Sequence, residues 1–395
     1  MKFKTFDILP HGTKFDFVGK RNIAVTLSLI ANLAVIIWCL PAVHGLNYGV
    51  DFAGGTEMEV KFSKPVSPGD IRTGVEALGF TDASVQQYGN PEDNTFLIRV
   101  GRIALTTQDE VNKVAAAVKS RFPSAGDAHF NPEVGDKIDF EFKGAPPTPE
   151  ELRAAVESAG VQVREVREEQ GLGAGTRAFA VITQGIQDKI ERDLSARFQD
   201  ASPDVRRVEY VGPAVGRELR NQGFKAVLYA MGLIVLYIGF RFDFRFSPGV
   251  IIALLHDAIL ALGYFAFTGR EFNLVSVAVI LTIVGYSVND TVVIYDRIRE
   301  NQAKYKGRKL SDIVNQAINE VLGRTFLTSV TTALSLIGLL FFGVGSLFDF
   351  AAALLVGIIT GTYSTWFIAA PMTVWLEERA EKRKKREVQA AAVAR

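Results

Sequence analysis

A single cysteine, Cys39, in 395 residues rules out an intrachain disulfide. The four histidines stand at no metal-ligand spacing, and no nucleophile elbow or phosphate loop is present. These absences leave no enzyme chemistry, no cofactor, no metal and no nucleic-acid partner to expect. The glycine-rich "GLGAG" at 171–175 joins two expected strands instead of a strand to a helix, so it reads as a hairpin loop. Net charge is also nearly absent at +1, but it is a sum of unlike parts: residues 44–210 carry about −8 and the remainder about +9.

Apolar sequence is what the chain has in plenty. The mean hydropathy of +0.17 averages a polar block with stretches long enough to cross a hydrocarbon core. Six such stretches occur: Ile23–Leu40, Phe224–Phe240, Gly249–Thr268, Leu274–Ile294, Phe326–Phe342 and Phe350–Trp375. Basic residues flank them on one side: Lys2, Lys4, Lys14, Lys20 and Arg21; Arg241 and Arg245; Arg297 to Arg308; Arg379 to Arg386. The positive-inside rule then puts both termini in the cytoplasm and the acidic block outside. "CLPAVHG" is a poor cleavage site, so the first stretch is expected to remain as an anchor. The expected order is a cytoplasmic 1–22, a span at 23–43, an outer domain at 44–220, five spans within 221–376 and a basic tail at 377–395. Within it, 297–323 is basic and amphipathic, with Ile313, Val314, Ala317, Ile318 and Val321 at helical spacing. That segment should lie along the inner interface or against a cytoplasmic partner.

No apolar run between Gly45 and Arg220 could span. Alternating and helical patterns there repeat with a period of about 80 residues, giving halves at about 57–135 and 136–211. Ser67 to Phe80 resembles Thr148 to Val161, each opening on a helix N-cap with an acid three residues on. Each half fits a split β-α-β unit. The expected fold is an α-helical membrane protein of six transmembrane helices with an α+β extramembrane domain of ferredoxin-like (βαββαβ) type, duplicated.

Charged residues inside apolar spans are costly and mark candidate function. Asn289 and Asp290 lie in the inner part of the fourth span, His256 and Asp257 in the third, and Arg324 opens the fifth. Thr328, Thr331 and Thr332 follow Arg324 at i+4, i+7 and i+8, forming one polar stripe suited to a bundle interior or a wetted path. Arg324 has a second reading, snorkelling to headgroups; a short aspartate stem reaches less far. An aspartate with an arginine nearby is a proton-responsive pair, since their separation changes how tightly the carboxyl holds its proton. His256, Asp257, Asn289 and Thr328 are candidates for polar support. Tyr286 and Ser287 read as packing or backbone hydrogen bonding. Gly357 and Gly361, four apart, suit close helix packing.

"NYGVDFAGGTEMEV", "VGPAVGRELRNQGFKA", "FRFDFRFSPGVIIALLHD", "FNLVSVAVILTIVGYSVNDTVVIYDRIREN" and "GRTFLTSVTTALS" together resemble the SecF family, the smaller half of the SecDF export factor. The resemblance implies a protein of the resistance-nodulation-division superfamily in the cell inner membrane, pairing with SecD into twelve spans. It implies help with late preprotein export through the SecYEG channel, driven by the proton-motive force, with the outer domain in the periplasm. The family's proton-relay residues carry over onto Asp290 and Arg324, with a further aspartate on SecD. Two alternatives stand beside this: a proton-driven small-molecule or lipid exporter of the same superfamily, usually with two six-span halves, and a docking scaffold. The doubled outer domain departs from the single unit usual in the family.

Overall fold

The computed structural model describes residues 13–393 except 82, 102–103, 132–135, 144–145, 171–175, 243 and 245. The glycine-rich loop at 171–175, Lys2, Lys4 and Arg245 lie outside the described residues. Two compact units emerge, one of Met1–Asn47 with Asn221–Arg395 and one of Tyr48–Arg220.

The chain opens with α1 (Arg21–Trp38), then a short turn of helix, α2 (Val50–Ala53). The unit of Tyr48–Arg220, the α+β unit, continues with β1 (Gly55–Phe62), α3 (Pro68–Ala77), β2 (Ser84–Gln87), β3 (Thr95–Val100), α4 (Gln108–Arg121) and β4 (Ala125–Phe130). The same order follows in β5 (Lys137–Lys143), α5 (Pro149–Ser158), β6 (Val163–Gln170), β7 (Thr176–Thr183), α6 (Ile186–Arg197) and β8 (Pro203–Val211). The remaining helices are α7 (Pro213–Phe242), α8 (Ser247–Thr268), α9 (Leu274–Lys304), α10 (Leu310–Phe342), α11 (Ser346–Ser364) and α12 (Ala370–Val393), with a π-helical turn at Thr365–Ala369.

Local sequence explains the elements of the α+β unit. In β1, Met58, Val60 and Phe62 point to the core while Glu57, Glu59 and Lys61 alternate to the other face. Reciprocal capping boxes open α4 (Thr107 with Glu110) and α5 (Thr148 with Glu151). At α3 the Ser67 hydroxyl accepts from the Gly69 amide, and the box is incomplete.

The strands form two antiparallel sheets, ordered β2-β3-β1-β8 and β4-β5-β7-β6. Each order is that of a βαββαβ unit, yet neither sheet comes from one contiguous half. Helices α3 and α6 cover the first sheet, burying Ile71, Val75, Ile186, Ile190 and Leu194 against Met58, Phe62 and Ile98. Helices α4 and α5 cover the second, burying Val111, Val114, Val118, Leu152 and Val156 against Phe140, Phe142 and Phe179. The last helix and strand of each half are therefore exchanged: α6 and β8 complete the first sheet, α4 and β4 the second.

The two exchanged connections meet at one spot. The hydroxyls of Thr106 and Thr183 are 2.8 Å apart, and the Asp136 carboxylate accepts from the amides of Leu105 and Thr106, both at 2.8 Å. Burial pushes the Asp136 carboxyl above its ordinary value, the two amides partly offset this, and the nearby Asp188 adds to it. A carboxyl raised in the folded state contributes stability that is full below its unfolded value and is lost as pH rises through the folded one. Asp136→Asn keeps an acceptor for both amides without the charge. It should match or exceed the wild type at neutral pH and lose that advantage in acid, read by amide hydrogen exchange in β5 and β7 of the full chain.

The entry and exit of this unit are built on glycine. Gly54 and Gly55 have φ of +78° and +119°, and a Cβ on Gly55 would lie 2.4 Å from the Val100 carbonyl oxygen. A Cβ on Gly216 would stand 3.1 Å from both the Gly54 nitrogen and the Phe52 oxygen. Backbones approach here to distances that side chains forbid.

Six helices in the described residues are long and apolar enough to cross a membrane. The amphipathic segment at 297–323 is not a separate surface helix. It comprises the end of α9 and the start of α10, and its apolar face is used internally: Ile313, Val314, Ala317 and Ile318 are buried, as is Ile298 on α9. Glu320 ties the pair by accepting from Arg297 at 2.5 Å and Asn301 at 2.8 Å. Asn315 and Asn319, one turn apart, clasp the segment before α1. Their side-chain oxygens accept from the amides of Phe17 at 2.8 Å and Phe15 at 2.9 Å, and Asn319 donates back to the Phe15 carbonyl.

Candidate functional site

The capping box of Asn273 and Ser276 starts α9, which then carries its buried face through Ile283, Ser287, Asp290 and Ile294. Asp290 is 4% exposed. Among the described residues it makes no hydrogen bond and no ion pair. The charge within electrostatic reach is Arg324 on α10, which is exposed and likewise unpaired. A buried carboxylate without donors is an unstable anion. Asn289 is exposed and does not join Asp290.

The polar stripe on α10 divides. Thr328 spends its hydroxyl on the Thr325 carbonyl, Thr331 is exposed, and Thr332 pairs with Tyr286 at 3.1 Å. The buried face of α10 is instead Leu322, Thr325, Ser329 and Leu336. Arg324, Thr331 and Asn289, with the exposed Gly285 whose added Cβ would meet nothing within 4 Å, leave polar groups open to whatever packs outside this unit.

His256 and Asp257 are a different arrangement. Asp257 is fully buried and has three polar partners: His256 Nδ1 lies 2.9 Å from one oxygen, and the Ser287 and Ser364 hydroxyls donate to the other at 2.6 and 2.8 Å. Three helices, α8, α9 and α11, thus converge on one carboxylate. Below it the Thr291 hydroxyl donates to the Ser287 carbonyl and touches that of Thr365. The buried Tyr295 hydroxyl donates to the Ala369 carbonyl at the end of the π-helical turn. Such turns are frequent at functional sites because they free carbonyls from the helical ladder. From sequence Ser287 reads as packing or backbone hydrogen bonding, and Ser364, Thr291, Thr365 and Tyr295 do not stand out. The one available signal was Ser287, three residues before Asp290 and so on the same helix face.

Glycines let these helices close. A Cβ on Gly357 would lie 2.3 Å from Ile283, and one on Gly361 would lie 3.1 Å from Ser287 Cβ and 3.7 Å from Asp257. The spacing of four seats α11 on α9 at the level of the polar cluster.

Comparison with known proteins agrees with this architecture. Residues 191–379 match the family of the protein export membrane protein SecD/SecF, C-terminal, and residues 40–66 match the SecD/SecF GG motif, which contains Gly54 and Gly55. The chain is 35% identical over 381 residues to protein translocase subunit SecF of Koribacter versatilis, covering 93% of this chain and 92% of that one. It is 34% identical over 366 residues to the SecF subunit of Pseudomonas aeruginosa, covering 93% and 92%. Among solved structures it resembles SecDF, a translocon-associated membrane protein of Thermus thermophilus, with a TM-score of 0.65 and 29% identity. That match covers 93% of this chain but spans only 39% of the SecDF chain.

Proposed function

This chain belongs to the SecF family of Sec translocase accessory subunits, and from that we propose that it couples the proton-motive force to late-stage protein export across the cytoplasmic membrane. Its partners are SecD, the SecYEG channel and the translocating preprotein, and its transported ion is the proton. The observation that carries this reading is Asp290, a buried carboxylate that among the described residues has no hydrogen bond, within reach of an Arg324 equally unpaired among them. Such a pair holds a proton when the guanidinium is distant and releases it when the two approach. The exposed polar edge at Asn289, Arg324 and Thr331 supports a second membrane unit covering it, as SecD would. Basic residues beside the spans, including Lys20, Arg241, Arg299 and Arg383, favour cytoplasmic termini and a periplasmic α+β unit.

Arg324→Gln is the direct test. In cells whose only copy carries it, proton-motive-force-dependent export of a secreted reporter should fall at least tenfold, while the subunit still co-purifies with SecD. Unchanged export would reduce Arg324 to a headgroup anchor and remove the relay.

A further inference from the structure

We infer that His256 and Asp257 form a second proton-holding site in the membrane unit, its ligand a single proton shared between imidazole and carboxylate, with Ser364 on α11 as its gate. The inference stands on the geometry of α8, α9 and α11 and is independent of Asp290.

The charge balance around Asp257 carries it. Both serine donors are neutral, and among the described residues no lysine or arginine pairs with this carboxylate. The titratable groups facing the pair are few. Helix α9 brings Asp290, one turn beyond Ser287, and α11 brings Tyr363, whose ring centroid is 6.0 Å from that of His256. Among the described residues, helix α1 and the π-helical turn bring only the hydroxyls of Ser28, which bonds to Tyr363, and Thr365. A neutral imidazole beside an ionised Asp257 would therefore leave one negative charge uncompensated at a fully buried position. One added proton removes it, as imidazolium with carboxylate or as imidazole with carboxylic acid. The 2.9 Å between Nδ1 and Oδ1 suits either, and the proton moves along that line with no other bond made or broken.

Release requires that the anion find support or water, and the gate follows from α11. Ser364 is the last residue of that helix before the π-helical turn, and it donates to Asp257 while Gly361 holds α11 against Ser287. A shift of α11 at the turn moves one of the two hydroxyl donors while His256 stays on α8.

Infrared difference spectra stepped across pH test this, using the full chain with SecD in lipid nanodiscs and isotope-labelled histidine. The wild type should show a slowly deuterium-exchanging titration that disappears in Asp257→Asn and persists in Asp290→Asn. In His256→Gln the proton passes to the carboxylate, so a buried protonated-carboxyl band should appear that the H256Q/D257N double variant lacks. Ser364→Ala added to His256→Gln, which removes one hydroxyl donor, should displace that band's frequency, and this keeps the test alive if Asp257→Asn does not fold. Identical spectra for His256→Gln and the double variant would overturn the inference. A titration lost in Asp290→Asn instead would assign the proton to Asp290 and overturn it equally, with the relay reading left standing.

Discussion

Asp290→Asn is expected to bring proton-motive-force-dependent export down to the level of cells lacking the subunit, while the chain is made normally and still co-purifies with SecD. Asparagine matches aspartate in shape, and Asp290 has no hydrogen bond among the described residues to lose, so the substitution removes charge and proton binding alone. Burying a neutral amide costs less than burying an anion, so thermal stability should hold or rise as export disappears. That opposite movement separates a relay from a structural role. Asp290→Glu restores a carboxylate and should recover part of the activity. The double variant with Arg324→Gln should be no worse than either single change, as expected of two groups acting as one unit. Normal export in Asp290→Asn would make the carboxylate structural and favour a docking scaffold.

Gly55→Ala should destabilise the α+β unit by about 3 kcal/mol, combining a backbone conformation strained for any side chain with overpacking. That corresponds to roughly a hundredfold rise in the opening equilibrium of β1, measurable by amide hydrogen exchange in the full chain. The size follows from the 2.4 Å between the added Cβ and the Val100 carbonyl, a backbone atom that cannot rotate away. Gly79 and Gly160, at the ends of α3 and α5, have φ of +93° and +92° with nothing within 4 Å of an added Cβ. Alanine at either should cost about 1 kcal/mol, since only the conformational part remains. Equal effects at all three positions would refute the crowding.

The six spans were legible because length and apolarity are local properties. So were most strands and helices of the α+β unit, where alternation and the Thr148 cap mark the elements directly. Strand β4, "AGDAHF", went unread because only Ala125 among its residues is buried. The exchange of α4 and α6 could not be read for a different reason. Helices of similar pattern would suit either sheet, and the connections into α4 and α6 run side by side where Thr106 meets Thr183. In the membrane unit, Asp290 stood out as a charge in an apolar run, as did His256 and Asp257. The Ser287 and Ser364 donors did not, because a serine in an apolar helix looks the same whether it faces lipid or a carboxylate. For the segment 297–323 the sequence leaves the inner interface and a cytoplasmic partner both open, because an apolar face carries no sign of whether membrane or protein covers it.

The crossed sheets bear on how the α+β unit is born. Phe62 on β1 pairs with Pro203 on β8, so the first strand of the unit waits for nearly the last before its outer edge is covered. A chain emerging amino end first must keep that strand from pairing wrongly throughout. The first sheet cannot close early, whereas every strand of the second lies within 125–183, and cutting the unit between β4 and β5 would leave two incomplete sheets instead of two small domains. A subunit that serves secretion thus poses, in its own maturation, the problem of holding an emerging polypeptide until its distant partner arrives.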